Sequence, residues 1–341
     1  MRYIAESEVN AKPYNYGFDV IKLLLSLAIV CLHVNWQIIP HGYLAVEVFF
    51  IMSGYFFIRS NNYKKKISTI YLNLLNKTYA KYALSLVLFF LVQLPLTYSS
   101  RDYFVAFSML QGTALKDGLM NPPTWFLCVL IWTLPLFSLI KRINKKYQLA
   151  ILASLFISSY LLLFIRSPSG GINAVFEFGM GSITAAQMRC VGGLALGCFL
   201  GVINLRLKNN KISILLAFMS VLLSFILMEG VISNPKSDFL ILITSTLLVL
   251  SIDSFDLRMP ANLIQLVKKH SPTITISMFL FHYPIFLFIN RLLPGDSYGI
   301  KIFLITICAA SIGLFMKAGF VTIKKAGFPP LLNLQFRKSK I

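Results

Sequence analysis

Residues 18–38 read FDVIKLLLSLAIVCLHVNWQI. Between Val20 and Val34 the only polar side chains are Lys22, Ser26 and His33. The hydrocarbon core of a bilayer is about 30 Å thick and takes roughly 20 apolar residues of helix, so this stretch has the length and composition of a membrane span. Segments of the same kind follow at 43–60, 82–98, 124–140, 148–165, 188–204, 212–232, 237–254, 272–292 and 300–323. Together with their short connections they use nearly all of the 341 residues and leave no room for a separate soluble domain. Composition agrees, with 57% hydrophobic and 13% charged residues against about 45–50% and about 25% in soluble domains. The expectation is an all-α integral membrane protein of about ten transmembrane helices. Residues 1–17 then form an N-terminal segment, 18–323 the membrane domain and 324–341 a basic tail.

The formal net charge of +20 raises nucleic acid as a partner, but the basic residues lie in short clusters between apolar runs. That is the pattern of membrane topology, in which Lys and Arg mark the cytoplasmic connections. With the connections assigned alternately to two sides, 23 Lys and Arg fall on one side and only Arg101, Lys116, Arg166 and Lys236 on the other. The expected topology therefore has both termini in the cytoplasm, with no nucleic-acid role. Lys22 and Arg189 lie within the spans, whereas Arg291, Lys301 and Lys317 sit near helix ends and are expected to snorkel toward the interface. The five cysteines all fall in apolar runs without metal-ligand spacing, so neither a disulfide framework nor a metal site is indicated. Residues 1–16 are polar and no small-residue cleavage site follows the first apolar run, so no cleavable signal is expected.

Charged groups at membrane depth are costly and are functional candidates by default. Lys22 and His33 are eleven residues apart. At 3.6 residues per turn they share one helix face, about 16 Å apart along the axis. Pro40, His41 and Gly42 make a short link to the second segment, whose Glu47 comes at a depth similar to that of His33. A carboxylate facing the imidazole would fix its tautomer and support its positive charge; the alternative is that the pair only ties two helices together. Ser53 and Gly54 fall lower, toward Lys22.

The run Phe18-Asp19-x-x-Lys22, ten residues, His33, then Gly42-Tyr43-Leu44-x-Val46-Glu47-x-Phe49-Phe50-x-x-Ser53-Gly54-Tyr55, resembles the opening of membrane-bound acyltransferase family 3. Trp125-Phe126-Leu127, the stretch from Arg189 to Gly201 with Gly192, Gly193 and Gly197, and Ser277 through Pro284 with His282 resemble its later motifs in the right order. The family usually has Arg where this chain has Lys22. Lys keeps the charge and loses the bidentate fork.

That resemblance implies an enzyme of the bacterial cytoplasmic membrane that moves an acetyl or other short acyl group from acyl-CoA to a hydroxyl of a surface polysaccharide or its lipid-linked precursor. Acetyl-CoA is then a donor substrate, and no bound cofactor is expected. In this reading the nucleotide end of the donor docks at the basic cytoplasmic rim, with Lys22 along its path and Ser53 beside it. His33 is the general base and Glu47 orients it; direct transfer and an acyl-histidine intermediate both remain open. His282 lines the same cavity or packs helices. Arg189 holds an acidic group of the acceptor or anchors its helix, and Trp125 stacks on a sugar or marks the interface. Glu177 is expected to be solvated, and Ser53 has no base beside it to make it a nucleophile. Some family members carry an added extracellular domain that completes transfer; with only a basic tail after 323, this chain is expected to acylate its acceptor directly or through a partner. A transporter or flippase for a glycan is the competing class, but the segments show no inverted-repeat symmetry.

Overall fold

The computed structural model describes residues 15–60, 65–94, 98–113, 115, 120–167, 171–175, 183–232, 234–254 and 260–325. Among these, every regular element is a helix. Helix α1 spans Gly17–Val34, and a 3-10 turn at Gly42–Leu44 runs straight into α2, Ala45–Arg59. Then come α3 (Ile67–Val92) and a short α4 (Ser100–Phe107). A 3-10 turn at Pro122–Thr124 opens a rod made of α5 (Trp125–Thr133), a second 3-10 turn at Leu134–Leu136 and α6 (Phe137–Ile140). The rest are α7 (Lys145–Arg166), α8 (Ala185–Ile203), α9 (Asn210–Met228), α10 (Leu240–Ser254, led in by Pro235–Phe239), α11 (Ala261–Leu292) and α12 (Tyr298–Lys325).

Among the described residues, nine rods are long and apolar enough to cross a membrane. The tenth, α3, is long enough but too polar. The span expected at 82–98 catches only the later part of it, because the helix begins at Ile67 and the stretch before residue 82 carries Asn73, Asn76, Lys77 and Lys81. Lys77 and Lys81, expected in a connection, are therefore helical. Ile70, Asn73 and Lys77 face a cavity shared with Lys22 of α1, while Phe89, near the other end of α3, stacks on Tyr283 beside His33. The same thickness of protein is thus traversed by α1 and α3, and α3 is polar where it lines a polar cavity.

The centre of the bundle is the pair α2 and α8, with α7 covering α8, α9 against α10, and α1 and α3 against α11. Small residues permit this closeness. A β-carbon at Gly197 would overlap the Ile51 carbonyl oxygen, and one at Gly54 would overlap that of Leu194. A capping box starts α8, with Thr184 Oγ1 accepting from the Gln187 backbone at 3.2 Å and Gln187 Oε1 accepting from the Thr184 N–H at 2.9 Å.

Helix α11 starts before the expected residue 272 and runs through Pro272 and Pro284. Proline has no N–H, so the carbonyl four residues earlier loses its helical donor. At Pro284 that carbonyl belongs to Leu280, and Asn121 Nδ2 supplies the missing bond at 3.0 Å. Asn121 has φ 49°, the left-handed region that asparagine tolerates best among residues with side chains. Its amide also donates to Ser85 Oγ of α3 at 3.1 Å, so one buried side chain ties the entry of α5 to two other helices. Lys301 corrects an expectation: it does not snorkel but is buried, its Nζ donating to Asn290 Oδ1 and the Gly295 carbonyl, each at 2.7 Å. The last turn of α11 and the loop after it offer those two acceptors within reach, which compensates the lost hydration.

Candidate active site

Helix α1 carries its two polar groups on one face, and each opens onto a different cavity. Lys22 and Ser53 line a cavity of about 460 Å³ together with Lys65, Asn73 and Lys77. Lys22 Nζ lies 3.2 Å from Asp19 Oδ1 and 4.9 Å from the centre of the Phe56 ring, with more than a quarter of its side chain exposed. Ser53 Oγ donates to the Phe49 carbonyl at 2.7 Å, which uses its proton within its own helix. Ser60 lines the same cavity and its carbonyl accepts from Lys141, whose pKa burial pulls below the ordinary lysine value.

His33 lines the second cavity, about 380 Å³, with Tyr43, Trp125 and Arg189 on its walls and Trp36 at its exposed rim. Its Nδ1 lies 2.8 Å from the Ile29 carbonyl of the preceding turn. A lone pair facing that oxygen would repel it, so hydrogen-bond partners assign the proton to Nδ1 and the lone pair to Nε2. The same logic holds for His282 on α11, whose Nδ1 lies 2.8 Å from the Met278 carbonyl and 3.0 Å from that of Phe279. His282 Nε2 therefore carries a lone pair, and it lies 3.3 Å from His33 Nδ1. The Nδ1–H of His33 is shared between a carbonyl and an imidazole. Tyr283 closes this corner with its ring edge-on to His33 at 5.5 Å.

Glu47 does not face His33, which overturns the expected pairing. Phe50, Ile51, Gly54 and Ile58 follow it at positions three, four, seven and eleven, all on one stripe of α2, and that stripe is turned to α8. There Glu47 Oε1 accepts from Arg189 Nε at 2.5 Å, and Tyr160 of α7 donates to Oε2. Arg189 spends its other nitrogens on the Ala174 and Tyr43 carbonyls, at 3.2 and 3.3 Å, and its guanidinium lies 5.0 Å from the centre of the Trp125 ring. Both charges are buried, where each requires the other. Arg189 thus reaches the cavity wall as a neutralised group. Trp125, expected either to stack on a sugar or to mark an interface, is buried against Arg189.

His33 and His282 were therefore singled out separately and are brought together, as are Lys22 with Ser53 and Arg189 with Trp125. Glu177 lies outside the described residues. Sequence reasoning missed Tyr160 and the cluster around Asp238. The buried Asp238 accepts from Tyr43 Oη at 2.7 Å, lies 2.9 Å from His41 Nδ1, and ties both to the backbone N–H of Ile172 at 3.4 Å. Nothing near Asp238 in the chain announces these partners. For Glu47 a signal did exist: Arg189, Gly193, Gly197 and Gly201 recur every four residues, so the glycine face that must meet another helix carries an Arg in need of a carboxylate.

Among known families, the model described as "Acyltransferase domain" matches residues 15–317. No curated protein and no solved structure matches the chain.

Proposed function

The chain belongs to acyltransferase family 3, and on that premise we propose that it moves a short acyl group, acetyl first, from cytoplasmic acyl-CoA to a hydroxyl of a surface polysaccharide or its lipid-linked precursor. What carries the reading is that one helix presents Lys22 to a basic cavity at one end and His33 to a separate cavity at the other. The donor's phosphates suit Lys22, Lys65 and Lys77, acting as point charges. The acceptor hydroxyl lies by His33, and the exposed Trp36 at the rim offers a ring face to a sugar. The orientation assigned is the one the basic residues favour, with the Lys22 cavity toward the cytoplasm of a bacterial inner membrane.

In the transfer step the acceptor oxygen attacks the thioester carbonyl carbon while His33 Nε2 takes the hydroxyl proton. The new C–O bond forms, the C–S bond breaks, and the proton passes from His33 to the departing thiolate. The products are an ester and the free coenzyme A thiol. His282 Nε2 accepts the Nδ1–H bond of His33 throughout, the part first assigned to Glu47. Glu47 and Arg189 hold the cavity wall and take no part in moving the proton.

The test is the acetyl-ester content of surface glycans, measured by NMR in cells carrying either the wild type or His33→Ala at equal membrane levels. The ester is expected to fall to background. Unchanged ester would overturn the proposal.

A further inference from the structure

Among the described residues, the two cavities share no lining side chain. Phe49 of α2 lines the Lys22 cavity, Phe279 of α11 lines the His33 cavity, and Phe126 of α5 stands against both. The ring centres are 5.9 Å apart for Phe49 and Phe126, 5.1 Å for Phe126 and Phe279, and 6.4 Å for Phe49 and Phe279. Aromatic rings at such separations are in contact, so the three close a wall built from three different helices. Phe50 backs it from behind at 4.6 Å from Phe126. The wall stands one helical turn from the histidine pair, since Phe279 lies three residues before His282 with ring centres 6.5 Å apart.

We propose that Phe49, Phe126 and Phe279 are the specificity-determining residues for the acyl group, because among the described residues these rings stand between the Lys22 cavity, from which the thioester arrives, and the cavity of His33. The inference rests on the proposed direction of donor approach. Phe126 and Phe279 are almost fully buried, whereas Phe49 is only partly covered on its cavity side. Phe49 is thus the ring with room to swing, and Phe126 and Phe279 form the fixed jaw. An acetyl group needs a small opening. Each added methylene has to displace ring surface from a packed contact, and one methylene in an apolar pocket changes discrimination by about 10- to 200-fold.

The test uses membranes containing the full chain with their own glycan acceptor, supplied in turn with acetyl-, propionyl- and butyryl-CoA. Release of the coenzyme A thiol above the His33→Ala background is recorded. The wild type is expected to favour acetyl, and Phe279→Ala to raise the butyryl-to-acetyl ratio at least about tenfold. Phe126→Leu and Phe279→Leu, which remove less ring volume, decide the matter if the alanine variant does not reach the membrane. A ratio that stays at the wild-type value in every variant reaching the membrane overturns this inference and leaves the transfer reaction standing, since a merely structural ring would lower all donors alike. No thiol release from any donor by the wild type would instead overturn the transfer reaction itself.

Discussion

An imidazole that takes a proton at Nε2 holds it better when its Nδ1–H has a well-placed acceptor. In many sites that acceptor is a carboxylate, but around His33 the acceptors are the Ile29 carbonyl and the Nε2 lone pair of His282. A neutral acceptor fixes the tautomer without adding a charge at membrane depth, where an unpaired charge is costly. His282→Gln keeps an acceptor within reach of His33 Nδ1 and is expected to retain activity within about tenfold of wild type. His282→Phe removes the side-chain acceptor, leaving the Ile29 carbonyl alone, and is expected to cost about a hundredfold, the lower range for loss of proton-transfer assistance. Ester formation at equal membrane levels checks both, and equal activity of the two variants would count against the positioning role. That His33 shares one helix face with Lys22 was legible from their spacing. That His282 is its partner was not, because 249 residues separate them and depth alone favoured Glu47.

The helices teach the complementary lesson. The α2–α8 pairing is written as glycines four apart on α8, and these small residues explain why the ion pair of Glu47 and Arg189 can close inside the bundle. Breaking a buried pair by removing one partner costs about 3–5 kcal/mol, because it strands the other charge, whereas removing both costs far less. Glu47→Gln and Arg189→Met are therefore each expected to lower the thermal stability of the detergent-solubilised protein strongly, and the double variant is expected to recover most of the loss. Recovery of acyl transfer together with stability would show that Glu47 acts through the fold; a double variant as unstable as the singles would sink the argument. Helix existence was largely readable from apolar runs, but edges failed where polar residues or proline interrupt the run. Asn73 and Lys77 made half of α3 look like a connection because they line the Lys22 cavity. Pro272 made α11 look shorter than it is. Helix α4 went unread, since its apolar run, Phe104 to Phe107, is far too short to span a membrane and its other signal is a capping box at Ser99 and Asp102.

At the scale of the whole molecule, the placement of α3 decides the topology. If α3 crosses, ten rods bring both termini to one side; if it does not, nine rods leave them on opposite sides. Its length of about 39 Å at 1.5 Å per residue exceeds the hydrocarbon thickness. It also runs from the Lys22 cavity to the Phe89–Tyr283 contact beside His33, the same interval covered by α1. Moving Lys77 and Lys81 into a helix leaves the excess of basic residues on the same side, so the charge argument survives the change in boundaries. Lys65 and Leu94 flank α3 and are both exposed, which makes them natural reporters. With a membrane-impermeant maleimide, Leu94→Cys and Trp36→Cys are expected to label in intact spheroplasts. Lys65→Cys is expected to label only in inverted vesicles, with the native chain as the background for Cys308. Labelling of Lys65→Cys and Leu94→Cys from the same side would show that α3 does not cross. Labelling of Trp36→Cys only in inverted vesicles would reverse the molecule and put the His33 cavity, not the Lys22 cavity, on the side where acyl-CoA is made.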